Sequence, residues 1–242
     1  MPSTRKVALV TGASRGLGAV IAGVLARQRY ELVIGGRDII ALEGVRQQLA
    51  GVGARVIAVP GDLFEPPTRA AYIEGARELG GLDVLVNNAS ELGPIGPLID
   101  FDVPQLGRLF PVNAAVPLWL TQMAMPLLEP RGGLVVNITS DAAVAAYPGW
   151  GPYGASKAAL ELMSRTLATE LADRGIAVVL VDPGDMRTRM HQEAFAGQDI
   201  SDRPLPEVTA GFWTWLFAQP HDDLTGKRLL AQQEDARWLQ PE

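Results

Sequence analysis

One alternation runs the length of the chain and constrains the fold more than any other feature. Short, apolar, β-rich runs are separated by longer stretches in which apolar residues recur every three or four positions. The runs are KVALV (6–10), ELVIGG (31–36), RVIAVP (55–60), DVLVNN (83–88), GLVVNITS (133–140), IAVVLVDP (176–183) and KRLLAQ (227–232). Between the first two lies GLGAVIAGVLARQR, spaced as an amphipathic helix. A strand that is apolar at nearly every position is covered on both faces, which belongs to a parallel sheet between helical layers. Strand–helix alternation from end to end predicts an α/β fold, a doubly wound parallel sheet of about seven strands with helices on both faces. No linker, repeat or low-complexity tract interrupts it, so residues 1–242 read as a single domain.

Charge and composition narrow the functions. The chain has 27 acidic and 21 basic residues, a net charge of -6, and no dense basic run. A nucleic-acid partner needs a concentrated positive field, so none is expected. With no cysteine, disulfide and thiolate chemistry are excluded. His191 and His221 stand 30 positions apart, so no metal site is expected. The start, MPSTRKVALVTGAS, reads as neither a signal peptide nor a membrane span, and no later run is long enough to span. A soluble, cytoplasmic protein without a membrane contact is expected.

In open parallel sheets, ligands lie outside the carboxyl ends of the strands. Three segments leave such ends. TGASRGLG (11–18) follows the first strand and opens the first helix, and Gly12, Gly16 and Gly18 permit a close backbone approach there. A helix N-terminus facing that turn suits a pyrophosphate; the plainer alternative is a tight strand–helix connection. ELGPIGPLIDFDVP (91–104) and DMRTRMHQEAFAGQDISDRPLP (185–206) are irregular and read as pocket walls.

Arginine is the preferred cation, and the lysines are Lys6, Lys157 and Lys227. Lys157 stands one helical turn after Tyr153, so the two share a helix face. A surface tyrosine beside a solvated lysine is the plain reading. A phenol whose proton is exchanged with the help of a fixed ammonium is the chemical one, since a nearby cation favours phenolate and lowers the phenol pKa.

The motifs in order resemble the short-chain dehydrogenase/reductase family over residues 5–190: T-G-x-x-x-G-x-G at 11–18, NNAS at 87–90, Asn113 in FPVNAA, Ser140 in NITS, Tyr153-x-x-x-Lys157, and DPGDMRT at 182–188. Ser140 precedes Tyr153 by 13 positions, the spacing expected of the family. Ser90 stands where the family has glycine, a change expected to matter little. The resemblance implies a Rossmann-type NAD(P)-binding domain and an oxidoreductase acting on a carbonyl or secondary alcohol. Tyr153 would be the general acid/base, Lys157 its cation and a ribose ligand, Ser140 a hydrogen-bond donor to the substrate oxygen, and Asn113 the anchor of a water near the lysine. A plainer reading makes Ser140 a strand-end cap. Pro117 lacks an N–H for the carbonyl of Asn113 four residues back, which in an α-helix would leave that carbonyl to a water.

The second strand ends at Gly36, where an NAD enzyme would carry a carboxylate, and Arg37 follows. Arg15 and Arg37 are candidates to hold a 2′-phosphate, which favours NADP with NAD as the alternative. Asp38 reads as a cap of the second helix. The family pattern further implies that Ser14, Leu17, Asp62, Leu63, Asn87, Ala89, Pro183, Gly184 and Thr188 line the cofactor site, Asp62 receiving the adenine amino group or else capping the third helix. Trp150, Tyr147, Met186 and Met190 are candidates for a moderately apolar substrate wall, or for loop packing. FWTWLF (212–217) reads as core or subunit interface, and a homodimer or homotetramer is expected. The C-terminal AQQEDARWLQPE lacks the family's glycine-rich ending. Two rival readings stay open, a non-catalytic cofactor-binding sensor or scaffold and a lyase or epimerase that uses bound cofactor without net turnover.

Overall fold

The computed structural model of the protein describes residues 5–233. Most of the C-terminal segment noted above, from 234 onward, lies outside the described residues. The strands are β1 (Val7–Val10), β2 (Glu31–Gly36), β3 (Val56–Pro60), β4 (Val84–Asn87), β5 (Leu134–Ile138), β6 (Ala177–Asp182) and β7 (Arg228–Leu230). They form one seven-stranded sheet in the order β3-β2-β1-β4-β5-β6-β7, every pairing parallel. This is the Rossmann-type architecture expected from the alternation. Each strand starts or ends within a residue or two of the sequence run that predicts it.

Strand alternation divides the core into two layers. Ala8 and Val10 of β1 face one cluster with Ile34, Val86 and Val136, under α1 (Gly16–Arg27) and α2 (Ile39–Gly51). Val7 and Leu9 face the other, with Val33, Leu85 and Val135, under α3 (Pro66–Glu78) and the central helices. Those central helices are α4 (Leu106–Phe110), α5 (Val116–Leu128) and α6 (Gly151–Glu170). Short helices α7 (Arg189–Ala194) and α8 (Ala210–Leu216) follow β6. The apolar stretch at 212–217 resolves as core: Phe212, Trp213 and Leu216 are fully buried in the first cluster, and the Trp213 indole N–H donates to Thr209 Oγ1 at 2.9 Å.

Local chemistry sets the helix starts. Asp38 caps α2 by accepting the Ala41 N–H at 3.0 Å, as its position predicts. Pro66 and Pro67 open α3, where a missing N–H costs nothing. Among the described residues, no helix is long and apolar enough to cross a membrane.

The site is positioned by the strand order. β1 lies between β2 and β4, so successive connections leave β1 in opposite directions and a crevice opens at its carboxyl end.

Candidate active site

The crevice begins where β1 and β4 are tied together. Thr11 Oγ1 accepts the N–H groups of Asn88 and Ala89 at 2.9 and 3.0 Å, and Asn88 Nδ2 returns a bond to the Thr11 carbonyl at 2.8 Å. Gly12 adopts φ +65°, and a Cβ at Gly18 would stand 2.3 Å from the Gly12 carbonyl oxygen. Only glycine closes this turn, and it leaves Ser14, Arg15, Gly16 and Leu17 lining an open cleft at the N-terminus of α1. The cleft has a volume of about 1930 Å³ and runs from this turn past Ala89 and Ser90 to Ser140, Tyr153, Lys157 and Thr188. That exceeds the few hundred to about 1,000 Å³ of a typical small-ligand pocket. Residues 91–95 and 185–196 form parts of its walls, as the sequence predicts.

At the end near β2, three arginines are matched with carboxylates. Arg15 pairs with Asp38, and Arg37 Nη1 stands 2.8 Å from Glu91 Oε1. Arg108, from α4, reaches Asp62 Oδ2 at 2.6 Å and Glu91 Oε1 at 2.8 Å. Burial alone would raise the Asp62 pKa, but the Phe64 N–H and the Arg108 guanidinium outweigh it and hold the carboxyl below its ordinary value. The Ala41 N–H, with Arg15 behind it, does the same for Asp38.

At the other end, Tyr153 and Lys157 share the inner face of α6 and are 8% and 2% exposed. Burial pushes the Tyr153 phenol up to about 12, and the Asp182 and Asp141 carboxylates add to this; hydrogen bonds with Ser90 and Ser140 act in the opposite sense. Burial lowers Lys157 to about 8. Its ammonium donates to the Ile138 carbonyl at 2.9 Å and lies 5.8 Å from the centre of the Tyr153 ring. The expectation that lysine lowers the phenol pKa is therefore corrected for this structure. Desolvation penalises both charged forms, and the ammonium is directed at a strand carbonyl.

The sequence model of the short chain dehydrogenases matches residues 6–199. The chain belongs to the short-chain dehydrogenase family. It is 32% identical over 241 residues to human dehydrogenase/reductase SDR family member 4, with 95% of this chain and 87% of the relative covered. A short-chain dehydrogenase structure from Pseudomonas syringae superposes with a TM-score of 0.88 at 29% identity, covering 96% of this chain and 97% of that one. Another, from Shigella flexneri and complexed with NADP, gives 0.86 at 27% identity, covering 94% and 97%.

Several residues of this short-chain dehydrogenase sit differently from their sequence reading. Asn87 does not line the cleft. It is buried at the end of β4, on the face opposite Val86, and its Nδ2 donates to Asn137 Oδ1 at 2.8 Å. Neighbouring Asn88 takes the place at the cleft. Asp62 does not cap α3, whose cap position is Glu65; it accepts the Phe64 N–H at 2.9 Å. Arg15 and Arg37 are not free cations. Ser140 does cap: its Oγ accepts the Ala142 N–H at 3.2 Å and donates to Asp141 Oδ1 at 2.9 Å. The segment with Asn113 is a π-turn, Pro111–Ala115, in which the Val116 N–H reaches the Pro111 carbonyl five residues back. The four-residue relation between Pro117 and Asn113 thus does not govern the bonding there.

The remaining residues fall as follows. Leu63 and Ala89 line the cleft, as do Pro183, Gly184 and Thr188. Thr188 caps α7 by accepting the His191 N–H at 3.2 Å. Trp150 meets Tyr153 edge to face at 5.7 Å, and Met190 packs beside them, whereas Met186 is 6% exposed and belongs largely to the core. Tyr147 donates to Asp141 Oδ2 at 2.6 Å at the cleft rim. Arg108, Glu91, Asn88 and Gln232 were not singled out in the sequence. Gln232 Nε2 holds the 183–185 turn by donating to the carbonyls of Pro183 and Asp185 at 2.8 and 2.9 Å. Only Asn88 carried a signal, as the second asparagine of NNAS.

Proposed function

We propose that the protein is an NADP-preferring oxidoreductase that transfers hydride between the nicotinamide and a carbonyl or secondary alcohol, with Tyr153 as general acid/base. The observation that carries this is a buried phenol with a lysine one turn on, at the far end of a cleft that Ser90 and Ser140 also line and that begins in a glycine turn. The turn suits a dinucleotide: it places a helix N-terminus, with its unpaired backbone N–H groups, beside the cleft. Ser14, Gly16 and Leu17 would hold the pyrophosphate, Asp62 and Leu63 the adenine, and Pro183, Gly184 and Thr188 the nicotinamide. The bound nicotinamide would supply or accept the hydride.

The chain's own residues handle the proton. In reduction, Tyr153 gives its phenolic proton to the oxygen as that oxygen gains negative charge. Ser140, whose hydroxyl is held by Asp141 and Ala142, turns its hydrogen toward the same oxygen. Lys157, fixed by the Ile138 carbonyl, keeps a cation or a hydrogen-bond donor close to the phenol. Asn113 fastens the loop after β4 to α6, since its Nδ2 donates to the Glu91 carbonyl and to Ser156 Oγ at 2.8 and 3.0 Å.

The paired arginines support NADP. Releasing Arg15 leaves Asp38 with its Ala41 N–H, and releasing Arg37 leaves Glu91 with Arg108. Both guanidiniums can therefore move to a 2′-phosphate without orphaning a carboxylate, and exposed ion pairs cost little to exchange. Trp119 and Met123 on α5 and Leu162 on α6 are exposed apolar residues that support self-association.

The experiment is a screen of ketones and aldehydes for NADPH oxidation, with Tyr153→Phe as the control. Turnover is expected to fall by about 10²–10⁴ in the variant. A variant as active as the parent would overturn the role of Tyr153.

A further inference from the structure

A second buried phenol reaches the cleft, at the end away from Tyr153. Tyr72 comes from α3, is 1% exposed, and borders the cleft together with Gly36, Asp62 and Leu63. Gly35 makes room for it. Along β2, Val33 faces the α3 layer and Ile34 the α1 layer, so Gly35 returns to the α3 side. A Cβ on Gly35 would stand 1.6 Å from the Tyr72 hydroxyl oxygen and 2.1 Å from Cζ. Any larger residue would therefore drive the ring out of this notch.

Among the described residues the Tyr72 hydroxyl has no hydrogen-bond partner. The acceptors at this end of the cleft are already engaged. The Gly35 and Gly36 carbonyls accept the N–H groups of Ala13 and Gly61 at 2.8 and 3.1 Å, and Asp62 is held by Phe64 and Arg108. Burial raises the phenol pKa, so at neutral pH the group is a protonated donor. A buried O–H without an acceptor costs free energy that nothing inside the protein returns. Its oxygen is not sealed in the core, since it keeps surface at the cleft.

We propose that Tyr72 is a cofactor-binding residue whose hydroxyl donates to an acceptor atom of the adenosine half of the dinucleotide. This rests on the reading of the cleft as a dinucleotide site.

The position selects the adenosine half, because Tyr153 and Lys157 lie at the opposite end, where the nicotinamide would be. The chemistry is complementary as well. Adenine offers a donor in its amino group and acceptors in its ring nitrogens, and the ribose adds further acceptors. Asp62, held ionised, supplies acceptors alone, and Tyr72 supplies a donor that lacks one. The two side chains thus answer opposite halves of one ligand.

The test is calorimetric titration of the parent and of Tyr72→Phe with adenosine 5′-diphosphate, NADPH and NADH, which requires no turnover. The variant keeps the ring and loses only the hydroxyl. All three ligands are expected to bind about three- to tenfold more weakly, with the ratio of NADPH to NADH affinity unchanged. The urea midpoint of the ligand-free variant is expected to equal or exceed that of the parent, since an unpaired buried hydroxyl has been removed. Unchanged affinity for adenosine 5′-diphosphate overturns the proposal, as does a fall in the urea midpoint without a loss of affinity, which would make the hydroxyl part of the fold. A parent that binds none of the three overturns the dinucleotide reading and this proposal together.

Discussion

The two ends of the cleft solve the problem of charge in opposite ways. Near β2, Arg15, Arg37 and Arg108 are each matched with a carboxylate on partly exposed loops. Around α6, Tyr153 and Lys157 are buried with no ion-pair partner among the described residues, and burial moves both away from their charged forms. Exposed pairs are weak, salt-sensitive and easily exchanged. Buried groups are held by packing and hydrogen bonds, and their protonation responds to each hydroxyl placed beside them. Recognition by exchange at one end and a fixed proton donor at the other is the division of labour this teaches.

The largest effect expected from breaking the fixed end is on turnover. Lys157→Met should lower it by about 10² or more, with NADPH affinity changed far less, in a comparison of kcat with the dissociation constant from fluorescence titration. The same variant tests the burial of the lysine. An unfolded lysine titrates near about 10.4, while Lys157 titrates near 8. Between those values the unfolded chain holds one more proton, so stability should rise with pH across that window by about 1.4 kcal/mol per unit. Above about pH 10 the raised Tyr153 pKa reverses the sign, because the folded state keeps a proton the unfolded state has lost. Urea unfolding from pH 8 to 10 should show the rise in the parent and lose it in Lys157→Met.

Next in size is the support beneath the catalytic end. Arg228 of β7 bonds Glu161 Oε1 at 2.8 Å, Asp182 Oδ2 at 3.0 Å and the Ser140 carbonyl at 3.1 Å. Glu161 is 2% exposed and also accepts from Thr139 Oγ1 at 2.8 Å. Arg228→Met leaves two buried carboxylates short of a cation and should cost about 3 kcal/mol in urea unfolding. A loss under ~1 kcal/mol would mean that Arg165, 2.6 Å from Glu161, carries the charge balance instead.

The smallest effect belongs to the exchangeable end. Arg37→Gln should weaken NADPH about tenfold and leave NADH within about twofold, with the NADPH loss shrinking as salt rises. Equal losses for both cofactors would make Arg37 a structural partner of Glu91 and no more.

Legibility in the sequence follows the same divide. The sheet was readable because parallel strands are apolar on both faces, and the glycine turn and the Tyr153–Lys157 spacing are local patterns. Pairings across the chain were not readable. Arg108 lies 46 positions from Asp62, and Gln232 reaches 49 positions back to Pro183. The position of Asn87 follows from its strand: it alternates with Val86, which faces the α1 layer, so its side chain points the other way. Burial of Tyr153 and Lys157 depends on the packing of α6 against the sheet, so the direction of their pKa values had no local signal.

Parallel fluorescence titrations of the unmodified protein with NADPH and NADH test the joint reading of the two ends most directly. NADPH binding at least tenfold tighter, about 1.4 kcal/mol, is expected if Arg15 and Arg37 exchange their carboxylates for a 2′-phosphate. Tighter binding of NADH, or binding of neither, would contradict it.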